Sequence, residues 1–522
     1  MKSTTPVRTL ILFCLILIVS CSSSSSRDPG SLVGDPDSLV EAMKADNLVV
    51  KEGFMKNVDI IALCCDPAKL MPMCYGNNPG APYMTAYLPD ADGQTAMNSS
   101  INYYGFPPAP PSVGSGNSRS YRLAANEAIV IVGKTPPANS IYYSYIAYIG
   151  LRCVTGNCVA GAIPDFANDY RRRFASTVDG LNNKNIWTTG SPGGAAGDSF
   201  DKDMMIIITG DRGTERRISK SARQSGYSDL IINTVILPAE FARLGLDYGK
   251  DEIGIVHRLA EWDDAYMSTP PLRVFRVANP SSVLDPFPTP LLTPRGGKSI
   301  SEKVRFNDAV AELRKAILEK YSDYTAAEYQ ADMWVPEGRD SLVLDAGGVF
   351  NGYDVLGDNH DAFYLRIPGL AGGKPADKGN TFSLDNSPDD FIIVYGVNHT
   401  KAGFTTYSSI ATYRHAMLNG GATKWIEPED RSAVPYLKDT SHAGDAAYLY
   451  VLRVARSCSG VDGEPCVKLA DCIGCPDNCK TECRTTGAND LFLGVRGYLE
   501  PATGTGPSYD EIIWDSAIHF KK

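Results

Sequence analysis

The apolar residues of this chain fall mainly into short blocks separated by Gly-, Pro- and Asn-rich stretches. Ile129–Gly133 and Ile392–Gly396 are two such blocks, and each is rich in Val, Ile or Tyr. Short runs of β-branched and aromatic residues between turn residues are typical of strands. The pattern therefore predicts the strands of a mainly antiparallel sheet.

Helical periodicity is clearest in Val304–Tyr321, where Phe306, Val310, Leu313 and Ile317 share one face. This spacing predicts an amphipathic helix. Weaker helical patterns occupy two stretches of the first half: Phe166–Val178, with Asp165 as a cap, and Thr214–Arg223.

The blocks recur in the same order in both halves, which indicates an internal repeat. The matched pairs are Gly76–Tyr83 with Gly357–Tyr364, Ile129–Gly133 with Ile392–Gly396, Tyr143–Ala147 with Tyr407–Ala411, Asp203–Ile208 with Asp445–Tyr450, and Ile255–Arg258 with Leu493–Arg496. We expect the two halves to share a fold and Arg258 and Arg496 to occupy equivalent places. The predicted fold class is α+β, as a tandem duplication of a mainly antiparallel sheet module with flanking helices.

Composition narrows the class of partner. The chain has 50 Lys and Arg against 60 Asp and Glu, and loss of Lys2 and Arg8 with a signal peptide would leave a net charge of −12. Nucleic acids and anionic lipid surfaces are bound by clustered Lys and Arg. This balance argues against both as partners.

The N-terminus has the pattern of an export signal. Lys2 and Arg8 precede the apolar run Leu10–Val19, which is too short to span a bilayer. The residues Ile18-Val19-Ser20-Cys21 resemble the lipobox of bacterial lipoproteins. The resemblance implies a signal peptide cut before Cys21, acylation of Cys21 by chains such as palmitate, and a lipid anchor in the cell envelope. The other interpretation is an ordinary secretory signal cleaved near Ser20.

The residue after the cysteine and the stretch beyond it fit an anchored domain. Ser22 implies, within this class, sorting to the outer membrane of a diderm host, and in a monoderm the anchor would lie in the cytoplasmic membrane's outer leaflet. Ser22–Ser26 has the composition of a flexible tether. Asn279–Gly297 contains five prolines without helical or alternating periodicity and is interpreted as a linker.

The predicted organisation is a signal peptide at 1–20, a lipid anchor and flexible tether at 21–40, a first α+β module at 41–278, a Pro-rich linker at 279–300 and a second α+β module at 301–522, with a Cys-rich insertion at 458–483.

Cysteines of the mature chain are interpreted as disulfides, because an exported protein enters an oxidising compartment. The candidates are Cys153 and Cys158 in the first module and Cys458, Cys466, Cys472, Cys475, Cys479 and Cys483 in the second. The second set is expected to form three bridges within one surface loop. Its spacing also suits zinc or an iron–sulfur cluster, which are the rival interpretations. Cys64, Cys65 and Cys74 cannot all pair among themselves.

Catalytic motifs are mostly absent from the sequence. It has no phosphate-binding Gly-x-x-x-x-Gly-Lys loop and no His-Glu-x-x-His pair. Ser191 lies in Thr189-Gly190-Ser191-Pro192-Gly193, which lacks the first glycine of a nucleophile elbow and places a proline after the serine. The expected role of the six histidines is packing or solvation. Acidic stretches at Asp345–Asp361 and Asp90–Gly93 carry oxygens suited to calcium, but turn formation explains them as well.

The tyrosines of Tyr142–Tyr148 should alternate, with Tyr143 and Tyr145 on one face and Tyr142 and Tyr148 on the other. Exposed aromatic residues would suit a polysaccharide surface, whereas buried ones would belong to a β core.

These observations leave three hypotheses for the function. The favoured one is a non-enzymatic lipoprotein that binds another envelope component, either a protein or a glycan, without a cofactor or metal. The second is an extracytoplasmic hydrolase, with or without the assistance of a metal, that uses acidic residues near Asp354–Asp361. The third is a structural subunit of an envelope assembly.

Overall fold

The computed structural model describes residues 34–65, 74, 76–94, 116–153, 170–191, 196–281, 283–297, 300–334, 357–368, 381–427, 429–459, 464–473, 479 and 481–522. The helices are α1 (Pro36–Ala45), α2 (Ile60–Cys65), α3 (Arg212–Gln224), α4 (Asp264–Ser268), α5 (Glu302–Lys320) and α6 (Val434–Leu437).

The strands of the first module are β1 (Val49–Val58), β2 (Tyr83–Pro89), β3 (Asn117–Ser118), β4 (Glu127–Lys134), β5 (Tyr142–Cys153), β6 (Tyr170–Ser176), β7 (Leu181–Asn182), β8 (Asp203–Thr209), β9 (Ile232–Ile236), β10 (Glu252–Ala260) and β11 (Leu272–Ala278). Those of the second are β12 (Thr325–Gln330), β13 (Asp332–Met333), β14 (Ala362–Ile367), β15 (Asp390–Val397), β16 (Tyr407–Arg414), β17 (Asn419–Trp425), β18 (Leu449–Ala455), β19 (Cys466–Lys468), β20 (Leu491–Tyr498) and β21 (Ser516–Lys521).

The first module folds into two layers of sheet that share β1. Residues 49–53 of β1 pair with β11, and residues 54–58 pair with β2. The outer sheet has the order β1-β11-β4-β8-β9, and the inner sheet has the order β1-β2-β10-β5-β6, with β7 also on β5. Pairing is antiparallel except between β8 and β9.

The second module repeats the strand order of both sheets, and among the described residues it has no counterpart of the short strands β3 and β7. Its outer sheet has the order β12-β21-β15-β18-β19, and its inner sheet has the order β13-β14-β20-β16-β17. Here β12 and β13 divide the role of β1, and β18 and β19 form the parallel pair. The predicted fold class, a duplicated α+β module with a mainly antiparallel sheet, is therefore confirmed.

The hydrophobic cores are also repeated. Ile129 and Ile131 of β4 pack between the two sheets of the first module, and Ile392 and Val394 of β15 pack in the same way in the second. The alternate residues of β4 and β15 face helices instead, α1 and α3 in the first module and α5 and α6 in the second. Each module is thus a helix layer, an outer sheet and an inner sheet.

Two of the three predicted helices are present. α5 covers the predicted Val304–Tyr321 up to Lys320, with Phe306, Leu313 and Ile317 buried. α3 covers Thr214–Arg223 and has Asp211 as its N-cap. The prediction of a helix at Phe166–Val178 is wrong, because Tyr170–Ser176 forms strand β6 on the edge of the inner sheet. The last residues of the segment predicted as a tether, 21–40, are helical instead, since α1 begins at Pro36.

Strand pairing corrects the alignment of two repeat blocks. Arg258 lies opposite Ser144, and Arg496 lies opposite Ser409, so the Tyr143–Ala147 block was aligned one residue out of register. Tyr142 is therefore equivalent to Tyr407, and Tyr148 to Tyr413. The match of Asp203–Ile208 with Asp445–Tyr450 was wrong by four residues, because Ile129 pairs with Ile208 and Ile392 with Val454.

The segment interpreted as a linker lies along the protein surface and is held there by specific bonds. Arg212 and Arg216 pair with Asp285, and the backbone N–H of Thr293 donates to Asp179. Leu291, between these contacts, is 93% exposed. None of the helices among the described residues combines the length and apolarity needed to span a bilayer.

Candidate functional site

The junction between the modules is formed by their two inner sheets. One buried cluster contains residues of both modules, mostly aromatic. Its members include Tyr142, Ala260, Trp334, Tyr364, Tyr407, Tyr413, Phe492 and Tyr498. The predicted alternation of the tyrosines is confirmed: Tyr143 and Tyr145 pack in the core of the first module, whereas Tyr142 and Tyr148 face the second. These rings are buried, so they are core residues and not an exposed glycan platform.

Two buried arginines cross this junction in opposite directions. Arg258 of β10 donates from Nη2 to the carbonyl oxygen of Gly357 at 2.7 Å, and Arg496 of β20 donates from Nη2 to the carbonyl oxygen of Gly76. Arg258 also donates to the hydroxyl of Tyr148 at 2.6 Å. A guanidinium stays protonated when buried, so such bonds to carbonyls and hydroxyls are needed to offset its lost hydration.

Aromatic rings surround both guanidinium groups. Arg258 lies 5.5 Å from the ring centre of Tyr83 and 5.6 Å from that of Tyr148. Arg496 lies 5.4 Å from the rings of both Tyr364 and Tyr413. Cation–π attraction is stronger when the cation has lost its water. The rings therefore stabilise two cations that are placed well inside the protein.

The carbonyl acceptors belong to glycines for a steric reason. Gly76 has φ 65° and Gly357 has φ 73°, in the left-handed region that favours glycine. A Cβ at Gly76 would also lie 3.0 Å from the Trp334 ring, so a side chain there would have to displace that ring.

Carboxylates make a second set of contacts across the junction. Asp358 accepts hydrogen bonds from the backbone N–H and the hydroxyl of Ser176, at 2.8 and 2.6 Å. Asp361 accepts from Asn182 Nδ2 at 2.8 Å and from the Tyr142 hydroxyl at 2.9 Å. Burial raises the pKa of Asp361 to about 7, against the smaller opposing effect of these two hydrogen bonds.

A covalent bond adds to the junction. Cys65 of α2 forms a disulfide with Cys483, 418 residues away. Cys64 pairs with Cys74, and the Sγ atoms of Cys64 and Cys65 lie 3.8 Å apart. The three first-module cysteines are close enough together to suggest a metal site, but each is already in a disulfide.

The disulfide predictions are met in part. Cys458 pairs with Cys466 and Cys472 with Cys479, as expected for bridges within the insertion. Cys483 is a correction, because its partner is Cys65 in the other module. Cys153 is disulfide-bonded, and its expected partner Cys158 lies outside the described residues, as do Cys475 and Cys21.

The insertion is also less of an outgrowth than expected. It contains β19, which pairs in parallel with β18 as β9 does with β8 in the first module. The loops around β19 are without a counterpart, and these carry the described cysteines of the insertion other than Cys466, which begins β19.

Histidines of both modules are held in structural contacts. Burial lowers the pKa of His257 to about 3, and its ring stacks on Tyr145 at 4.1 Å. Burial alone would lower the pKa of His399, but Glu302 and Asp515 raise it to about 10. His519 bonds to Asp390 at 2.5 Å, and His360 contacts the carbonyl oxygen of Thr293 at 2.9 Å.

Other candidates for chemistry are similarly occupied. Ser191 accepts from the backbone N–H of Thr188 at 2.9 Å, within a turn. Lys51 binds the carbonyl oxygen of Asp90 and the carboxylate of Asp92, so an ammonium group occupies the position suggested for calcium. Asp345 and Asp354, from the other acidic stretch, lie outside the described residues.

Comparisons with known proteins give little further guidance. No family model and no curated protein matches the chain. The crystal structure of the VPA0106 protein from Vibrio parahaemolyticus is similar over 93% of this chain and 96% of its own, at 11% identity and a TM-score of 0.34. A likeness of this degree carries no information on function.

Proposed function

We propose that this chain is a lipid-anchored protein of the cell envelope whose folded body binds another envelope component, either a protein or a glycan, without catalysing a reaction. The observation that carries the proposal is a lipobox-like Ile18–Cys21 ahead of a body that is cross-linked by disulfides. Structural disulfides persist in oxidising compartments such as the envelope. In a diderm host the anchor would be in the outer membrane.

The junction supports binding over hydrolysis. The acidic residues considered for a hydrolase include Asp358 and Asp361, and both are buried and bonded to groups of the first module. Carboxylates in such positions join the modules and are not accessible to a substrate. Two modules joined by buried hydrogen bonds, aromatic contacts and a disulfide form a preorganised body, which has little conformational entropy to lose when it binds.

Exposed tryptophans mark where contact is worth testing first. Trp187 is 37% exposed and Trp262 is 41% exposed, both on the first module. Large aromatic side chains are enriched among the residues that dominate binding energy.

The anchor is tested by Cys21→Ala, with Cys14→Ala as a matched control in the same signal. Wild type and the control should incorporate labelled fatty acid and sediment with membranes, because only Cys21 follows the lipobox pattern. Cys21→Ala should carry no label and be released or left unprocessed. Equal labelling and sedimentation of all three proteins would contradict the anchor.

Binding is tested in the native envelope by placing a photo-cross-linking residue at Trp187 or Trp262. A discrete adduct at either position, and none from the exposed control position Lys438, is expected. Adducts of the same pattern from all positions, or from none, would contradict a binding surface at these tryptophans.

A further inference from the structure

The contacts that join the two modules are reciprocal. Tyr83 pairs with Arg258 on the inner sheet of the first module, and Tyr364 pairs with Arg496 on that of the second. These pairings agree with the matched blocks Gly76–Tyr83 and Gly357–Tyr364, which make Arg258 equivalent to Arg496 and Gly76 to Gly357.

Two hydrogen bonds that the first module donates to the second have equivalents that the second donates to the first. Arg258 reaches Gly357, and its equivalent Arg496 reaches Gly76, the equivalent of Gly357. The Tyr148 hydroxyl donates to the carbonyl oxygen of Asp358 at 2.8 Å. Its equivalent Tyr413 donates to the carbonyl oxygen of Asn77 at 2.7 Å. When residue i of one unit contacts residue j of the other and j contacts i, the two units are related by a twofold axis.

The aromatic surroundings follow the same rule. Tyr83 and Tyr148 surround Arg258, and their equivalents Tyr364 and Tyr413 surround Arg496. A contact between unrelated surfaces would have no reason to match in this way. The two modules therefore meet as the subunits of a symmetric homodimer do.

We propose that the inner sheet of this module is a self-complementary association surface, whose fitting partner is another module of the same kind. The chain is in effect a dimer of modules made covalent by the segment between them. On this proposal the association depends on the inner sheets, with the linker and the Cys65–Cys483 disulfide as reinforcement.

The test uses the full chain, with a protease site inserted after the exposed Leu291 and with Cys65→Ser and Cys483→Ser to remove the cross-link. After the folded protein is cut, its two fragments should elute together at micromolar concentration with the mass of the uncut protein. Adding Arg258→Met and Arg496→Met to the same chain should allow the fragments to separate on cutting. Separation with both arginines intact would overturn the proposal.

Lysine variants test the twofold relation between the two arginines. They also keep the proposal falsifiable if the protein with both Arg258→Met and Arg496→Met does not fold. Arg258→Lys and Arg496→Lys each shorten the donor that reaches a glycine carbonyl across the junction. Equivalent places should give equal shifts of the unfolding midpoint in the uncut protein. A shift at least twice as large for one variant as for the other would contradict a twofold contact.

Discussion

The two modules share a topology but neutralise buried charge with different residues. Arg276 of β11 and His519 of β21 occupy equivalent places, since Arg276 pairs with Ile129 and His519 with the equivalent Ile392. Each binds a carboxylate at the start of the neighbouring strand, Glu127 in one module and Asp390 in the other.

This difference extends beyond the one position. The first module also buries the pairs Arg122–Glu252 and Arg152–Asp251, whereas the second places His399 between Glu302 and Asp515. The comparison teaches that the fold requires a satisfied polar group at such positions and tolerates a change in its chemistry. What the change alters is the response to pH and to the loss of a partner.

The largest effect should come from removing the disulfide that joins the two modules. Cys65→Ala with Cys483→Ala removes a cross-link spanning 418 residues, for which chain entropy predicts about 6 kcal/mol of stability. Cys458→Ala with Cys466→Ala removes one spanning 8 residues and should cost about 2.5 kcal/mol. Denaturant unfolding of the oxidised proteins measures both. Equal losses would show that the long cross-link does not restrict the unfolded chain.

The next effect tests the equivalent charge pairs. Glu127→Gln leaves the Arg276 guanidinium buried beside a neutral amide, and removing one partner of a buried pair costs about 3–5 kcal/mol. Asp390→Asn should cost only about 1–2 kcal/mol, because the amide can keep a hydrogen bond to an imidazole nitrogen, which can act as donor or acceptor. The free energies of unfolding at neutral pH decide this. The comparison fails if the Asp390 variant is the less stable of the two.

The fold could be predicted in outline because the repeat appears in short apolar blocks. Its register could not, since tyrosine-rich strands such as Tyr142–Tyr148 offer several alignments and only pairing with Arg258 selects one. The error at Phe166–Val178 has a similar cause: an edge strand carries polar residues at irregular spacing, and a single sequence does not show its partner. The packing of α5 was predictable because its period extends over several turns.

The junction was beyond the sequence for a different reason. Arg258 and Arg496 were correctly expected to be equivalent. However, the hydrogen bond that each donates to a glycine carbonyl of the other module depends on the packing of two sheets against each other. Cys65 and Cys483 are 418 residues apart, and spacing within the insertion suggested a local partner instead. The one available signal was that three first-module cysteines could not pair among themselves.

The smallest change in structure, Asp361→Asn, tests an asymmetry within the symmetric junction. The residue of the first module that is equivalent to Asp361 is Gly80. The carbonyl oxygen of Gly80 lies 3.5 Å from the hydroxyl of Tyr407, whereas the carboxyl group of Asp361 binds the hydroxyl of Tyr142, the equivalent of Tyr407. Because burial raises the pKa of Asp361 to about 7, the folded protein holds its proton more tightly than the unfolded chain does. Ionising this carboxyl should therefore make the protein less stable as pH rises from about 4 to about 7.

An asparagine keeps the shape and the hydrogen bonds of the protonated acid but does not titrate. Near pH 4 the variant should match wild type, and by pH 7.5 it should be more stable by a few kcal/mol, up to about 4 if the whole shift applies. Urea unfolding across this range measures the difference, with Asp439→Asn, at an exposed carboxylate, as the control. A stability difference that is constant across this pH range would mean that Asp361 is ionised in both the folded and the unfolded protein. The junction would then hold a carboxylate at the position where the first module has the uncharged Gly80.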